Sequence, residues 1–288
     1  ALIFNFLSSY VIASIFGDFL IIYIAFFALI ILNVEVLSLF NSIYDFNLLI
    51  LSGLNLAVSS VIFKYKKANF LKFNFDFKRL KNTLLIDKFL LVLSFAFLIL
   101  LIVSLFLAYI MPPVEPDSQT YHFFRALMFS NNHSLAHFDT NDIRALVMPI
   151  NSEIIYCWIY TLSHKFHGFA LFSYCSYLAL IFGLWQIFEY LKSPWRKRLF
   201  AIFILSSFPC VIAQISNLQT DITVAALLVN SIALYLKKNL YFSSVCFALA
   251  LGTKSTSFMM GLGVLILILY LAKNKKDILK FISYLILN

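Results

Sequence analysis

The stretch from Phe89 to Asp117 reads FLLVLSFAFLILLIVSLFLAYIMPPVEPD. Its first 23 residues, Phe89 to Met111, carry no charge. As an α-helix such a run rises about 35 Å, enough to cross the roughly 30 Å hydrocarbon core of a bilayer. The apolar residues are continuous and do not alternate, so the run reads as a spanning helix and not as a barrel strand. Adjacent prolines, Pro112 and Pro113, cannot continue the helix. The chain must leave the membrane there, and the next residues are the acidic Glu115 and Asp117.

The rest of the chain repeats this pattern. Of the 288 residues 62% are hydrophobic and 12% charged, with a mean hydropathy of +0.92. Apolar runs are predicted as spans near 1–16, 19–40, 48–63, 89–111, 169–190, 199–216, 222–236, 240–252 and 257–272, with another beginning near 278. The fold expected is all-α: a polytopic transmembrane helical bundle, one domain over 1–288, with a large external loop at 112–168. The chain starts at Ala1 and both ends fall in apolar sequence, so it is expected to be a segment of a longer protein. No cleavable signal peptide is recognisable.

Charge sets the sidedness. The net charge of +9 is not spread as a nucleic-acid binder would spread it. Eighteen of the 22 Lys and Arg fall in four short clusters, at 64–88, 192–198, 237–238 and 273–280. Placing every cluster in the cytoplasm gives one consistent alternation, with 41–47, 112–168 and 217–221 on the opposite side. Lys254 is the exception, in an apolar region interrupted by GTKSTS. A Lys at membrane depth costs roughly 2.5–3.5 kcal/mol on insertion scales, so it needs an anionic partner or water.

The loop at 112–168 holds all five histidines (His122, His133, His137, His164 and His167) and Glu115, Asp117, Asp139, Asp142 and Glu153. Asp117 or Ser118 is a natural N-cap for a helix predicted over Gln119–Ser130. On it Ser118, His122 and Arg125 share one side, expected to face water while the apolar side lies on the membrane surface. A second surface helix is predicted from Pro149 to about Ser163. Several chemistries are disfavoured by the residues. HSLAH at 133–137 lacks the Glu of a zinc protease, and Asp139 to Asp142 lacks the Gly and final Glu of a calcium loop. There is no Gly-rich phosphate loop and no nucleophile elbow. The four cysteines (Cys157, Cys175, Cys210 and Cys246) are too widely spaced for a metal knuckle or a disulfide framework. What remains is a carboxylate beside the bilayer, able to deprotonate a hydroxyl, with Arg125, Arg144 and Lys254 available to hold an anion.

PDSQTYH at 116–122, then Arg125, NHS at 132–134, FDT at 138–140, Arg144 and PINSE at 149–153 together resemble multi-pass bacterial glycosyltransferases of the GT-C superfamily. Their pattern runs approximately W-D-S-x-x-Y-H-x-x-R, N-x-S, Y-P-T, R-Q and P-P-x-x-E. QTD at 219–221 and GTK at 252–254 are similar to that family's short external T-D and G-x-x-x-T-K segments. The likeness covers about residues 90–265. Pro116 stands where the family has Trp, Phe138-Asp139 where it has Tyr-Pro, Ala145 where it has Gln, and Asn151 near its second Pro.

The resemblance implies transfer of a sugar from a polyprenyl-phosphate-linked donor to an acceptor hydroxyl of a glycan, lipid or protein, with inversion. It implies a bacterial inner membrane with the active site on the periplasmic face. By resemblance Asp117 is the catalytic carboxylate. Arg125, Arg144 and Lys254 are then candidates for the lipid phosphate, and Tyr121, His122, Glu153 and Asp221 for sugar or acceptor contacts. Some relatives use a divalent metal and others do not, so metal dependence stays open. The alternative expectation is a transporter or flippase of lipid-linked sugars.

Overall fold

A computed structural model describes residues 1–72, 77–112, 114–165, 167–272 and 274–287, apart from the side chains at 77, 79, 80 and 83. Among the described residues every regular element is a helix. In chain order the first five are α1 (Leu2–Phe16), α2 (Leu20–Ser38), α3 (Asp45–Tyr65), α4 (Phe77–Ile86) and α5 (Lys88–Ile110). A π-helical turn, Ser118–His122, leads into α6 (Phe123–Asn131), followed by α7 (Arg144–Val147) and α8 (Asn151–Ser163). Then come α9 (Leu171–Tyr190), α10 (Trp195–Ser207), α11 (Pro209–Ile215) and α12 (Asp221–Leu236). The last are α13 (Leu240–Leu251), α14 (Ser257–Leu271) and α15 (Lys275–Leu287).

Among the described residues four helices, α2, α3, α5 and α9, are long and apolar enough to cross a membrane. α5 shows why. Asp87 caps it, accepting from the backbone of Phe89 at 3.1 Å and Leu90 at 3.3 Å. Before Pro112 the chain turns extended at Met111. Between these ends Val92, Phe95, Ile102 and Phe106 are exposed. Such a surface is stable against hydrocarbon and not against water.

The run predicted as one span over 199–216 is instead broken, with α10 and α11 meeting at 71°. Pro209 offers no N–H to continue α10 and holds Phe208 extended, so the helix axis restarts. α4 was not anticipated as a helix; its sequence lies within the basic cluster at 64–88. α13, at 12 residues, rises only about 18 Å and does not cross a bilayer alone.

The four basic clusters gather at one end of the bundle. Lys237 pairs with Asp18 at 2.7 Å, Arg196 with Asp87 at 3.4 Å, and Lys238 with Asp277 at 2.6 Å. The segments predicted for the other side meet at the opposite end. Ile43 donates to His133 O at 3.2 Å, Leu218 to Ser118 Oγ at 3.2 Å, and Asn151 to Gly252 O at 3.0 Å. Contacts between loops distant in sequence thus agree with the alternation read from charge.

Inside the bundle the polar residues bind helices to one another. Asn33 on α2 donates to Asn5 on α1 at 3.4 Å, and Asn55 on α3 donates to Asn33 at 2.8 Å. Interhelical bonds of this kind contribute on average about 0.6 kcal/mol in a membrane. α9 and α12 approach closely because Gly183 has no Cβ: one placed there would overlap the Asn230 side chain.

Two expectations for the loop fail. The face bearing Ser118, His122 and Arg125 does not look at water; all three are buried. Nor does α8 lie on a surface, since Glu153, Ile154, Ile155, Tyr156, Cys157 and Trp158 are all buried. α6 and α8 pack on each other, and α8 also packs on α2, so each hides the other's exposed face. The ion pairs on these helices explain why polar groups tolerate that burial.

Candidate functional site

The site begins at the N-terminus of the π-turn. Glu115 Oε2 accepts from Ser118 N at 2.8 Å and Ser118 Oγ at 3.1 Å, so Glu115, and not Asp117 or Ser118, caps this helix. Burial opposes ionisation of Glu115, but the hydrogen bonds from Ser118 and Asp117 outweigh it, and the carboxyl sits below its usual range. Ser118 Oγ in turn accepts from Leu218 N, docking the turn onto the 217–220 loop. The cap therefore leaves the Asp117 carboxylate available.

Asp117 is 46% exposed and Arg144 40%. Arg144 Nη1 donates to Asp117 Oδ1 at 2.9 Å. The same guanidinium forks onto Asp142, through Nε to Oδ1 at 3.1 Å and Nη2 to Oδ2 at 2.9 Å. Nη2 also reaches Thr120 Oγ1 at 3.3 Å, and the group lies 4.8 Å over the Tyr121 ring. Asp142 Oδ1 fixes the arrangement by also accepting from Arg144 N. Hydrogen bonding with Arg144 holds the Asp142 carboxyl low, and the same bond raises Arg144. Tyr121 is pushed up to about 12, first by burial and then by the Asp117 and Glu153 carboxylates. It is therefore a neutral phenol, a donor and not a base.

Beneath this exposed pair lies a buried one. Glu153 is 1% exposed, and its Oε1 takes His122 Nδ1 at 2.8 Å and Arg125 Nη1 at 3.3 Å. The contact with Nδ1 fixes the orientation of the His122 ring. Glu153 Oε2 has no partner among the described residues. Arg125 is fully buried, and beyond Glu153 its donors are committed to backbone carbonyls of residues 144–149.

Asp221 and Lys254 form a third pair at the same end, 2.6 Å apart, supplying the anionic partner that Lys254 needed. Gln214 Nε2 holds the other Asp221 oxygen at 3.2 Å. The Lys254 turn is tied to the loop through Gly252. Asn151 N bonds Gly252 O at 3.0 Å, while Asn151 Nδ2 donates to Leu249 O at 3.2 Å. A Cβ at Gly252 would strike the Asn151 amide.

Of the eight residues singled out in sequence, Asp117 and Arg144 meet in a half-exposed cluster over the buried Tyr121. His122, Arg125 and Glu153 meet in the core behind it, and Asp221 and Lys254 meet beside the 217–220 loop. Asp142 and Thr120 complete the Arg144 cluster, and Gln214 the Asp221 pair; none was assigned a role from sequence. Asp142 carries the one usable signal, an Asp two residues before Arg144, the spacing at which its carboxylate reaches the Arg144 amide. Of the other histidines, His133 stacks on Tyr44 with centroids 3.9 Å apart. An open depression of 440 Å³ lined by His137, Phe138, Asp139, Leu146 and Val147 lies on the outer face of the Arg144 helix.

Among the described residues no three His, Cys, Asp or Glu side chains form a group that could hold a metal ion. Asp117 and Asp142 are bridged by a guanidinium, which stands where a cation shared between them would sit. Comparison with protein-family models, curated proteins and solved structures gave no match.

Proposed function

We propose that the chain is a membrane glycosyltransferase of the GT-C type, taking its sugar from a polyprenyl-phosphate-linked donor at the end of the bundle that carries 112–168. The observation that carries this reading is Asp117: exposed, released from capping by Glu115, and bound by Arg144 through one oxygen only. In the proposed step the acceptor hydroxyl attacks the anomeric carbon, and its proton passes to the free Oδ2 of Asp117. The bond from that carbon to the phosphate oxygen breaks, and polyprenyl phosphate leaves with the electron pair. A single displacement inverts the anomeric centre. Arg144 and Lys254 are the cations that meet the leaving phosphate, by loosening from Asp117 and Asp221 respectively. Arg125, with its donors committed inside the protein, has no part in phosphate contact in this reading. The site faces the periplasm if the basic end of the bundle is cytoplasmic. A metal enters no step of this proposal.

The test is turnover. Protein in nanodiscs is given a panel of polyprenyl-phosphate sugars and hydroxyl acceptors, and free polyprenyl phosphate is measured by mass spectrometry. The reading expects release with at least one donor, and a loss of about a hundredfold or more in Asp117→Asn. A second reading, a transporter of lipid-linked sugars, is favoured by the broken α10–α11 pair and by the asparagines linking α1, α2 and α3. It expects donor to change leaflet in proteoliposomes with its sugar still attached.

A further inference from the structure

α7 is a single helical turn, too short to hold itself. Its carbonyls and those just after it need partners, and Pro149 cannot donate. One side chain reaches four of them, although Arg144 O also accepts from Met148 N at 3.2 Å. Arg125 donates from Nε to Ala145 O at 2.8 Å and from Nη2 to Arg144 O at 2.6 Å. Its Nη1 reaches Met148 O at 3.1 Å and Pro149 O at 3.3 Å. A cation is suited to the carbonyl end of a helical turn, and the planar fork covers carbonyls in several directions at once. Glu153 Oε1, 3.3 Å from Nη1, supplies the counter-charge, and His122 holds that oxygen from the other side. The charge is buried yet paired and hydrogen-bonded, which is the condition for tolerating it.

We infer that Arg125, anchored by Glu153, is a positioning residue: it fixes the 144–149 backbone so that the Arg144 guanidinium meets Asp117, and it touches no substrate itself. The chain of contacts runs from the α8 carboxylate, through Arg125, to the Arg144 main chain, and out through the Arg144 side chain to Asp117. The consequence for catalysis rests on the reading of Asp117 and Arg144 above. The placement of the loop does not.

The experiment is amide hydrogen exchange on the full chain in nanodiscs, comparing wild type with Arg125→Lys, Glu153→Gln and Arg144→Gln. Lysine keeps the charge but is a single point donor. Arg125→Lys and Glu153→Gln are expected to speed exchange at Ala145–Met148 by about tenfold while α9 and α12 stay protected, as for a local opening. Arg144→Gln alters a part-exposed side chain, so its fold is safe; it should leave exchange at Leu146–Met148 unchanged. Unchanged exchange in Arg125→Lys overturns the inference, and so does equal loosening in Arg144→Gln, which would make the outer ion pair the clamp. If Arg125→Lys fails to fold, the Glu153→Gln and Arg144→Gln arms still decide. Where turnover is measurable, Arg125→Lys should lower kcat and, through the slackened Arg144, raise donor KM in part, always together with faster loop exchange; a risen KM with an unchanged loop would mark Arg125 as a phosphate ligand. Absence of turnover in wild type would sink the proposed function and leave the exchange result standing.

Discussion

Arg144 Nη1 stands 2.9 Å from Asp117 Oδ1, while its Nε and Nη2 grip Asp142 from 3.1 and 2.9 Å. The two carboxylates are therefore not equivalent. Asp142 takes the forked side of the guanidinium with both oxygens and also caps the Arg144 amide. Asp117 accepts through one oxygen and keeps the other. A bound anion competing for Arg144 displaces Asp117 more readily than Asp142, because one hydrogen bond is lost and not two.

That inequality separates two isosteric variants. Asp117→Asn removes the proton acceptor, and transfer is expected to fall by about a hundredfold to ten-thousandfold, the usual worth of a general base. Asp142→Asn keeps the base but slackens Arg144, so its loss should be smaller and appear partly in donor KM. Steady-state release of polyprenyl phosphate from both variants, at matched protein level, checks the order. The reverse order would move the base to Asp142.

Sequence reached the all-helical architecture and its long apolar helices because lipid imposes one rule, that every backbone group bonds within its own helix, and apolar runs such as Phe89–Met111 obey it visibly. Which loops share an end of the bundle was legible from charge: Arg196–Asp87 and Lys238–Asp277 join basic clusters far apart in sequence. The burial of His122, Arg125 and Glu153 was not legible. A helix with a polar stripe reads as water-facing unless one knows that another helix brings a carboxylate to that stripe. The separation of 31 positions between His122 and Glu153 hides the pairing. The break at Pro209 was present in the sequence but was overridden by the surrounding apolar run.

Gly252 tests how the Lys254 turn is held. Its backbone is ordinary helical, φ −77°, so alanine meets no dihedral strain there. The added Cβ instead meets the Asn151 amide, with Cγ at 3.0 Å. Overpacking of this kind costs about 1–3 kcal/mol. Gly252→Ala is expected to lower the thermal midpoint in detergent, and Gly252→Ala with Asn151→Ala should recover part of it. Additive losses in the double variant would argue against the contact.

Glu115 gives the acid dependence of the π-turn. Its folded-state carboxyl titrates below the ordinary value of 4.5. A depressed pKa means the native state favours the charged form, so the stabilisation is complete above about pH 4.5 and fades as pH falls through the lower folded value. The cap contributes about 0.5–2 kcal/mol. Thermal midpoints measured from pH 6 down to pH 3 should therefore fall less steeply for Glu115→Gln than for wild type. Parallel curves would show that the cap is not ionised in the folded protein.

Lys254 and Asp221, 2.6 Å apart, predict an asymmetric pair of substitutions. If the ammonium meets the donor phosphate, Lys254→Gln removes a charge-assisted bond that substrate and transition state share, and such a loss raises KM more than it lowers kcat. A rise of about tenfold to a hundredfold in donor KM is expected, corresponding to about 1.4–2.8 kcal/mol. Asp221→Asn removes the internal competitor for the same ammonium, and donor KM should stay level or fall. Sugar-free polyprenyl phosphate, titrated as an inhibitor, should follow the same order, because it carries the phosphate without the reacting bond. Equal weakening by both substitutions would mean that the pair is only a brace between α12 and the turn before α14.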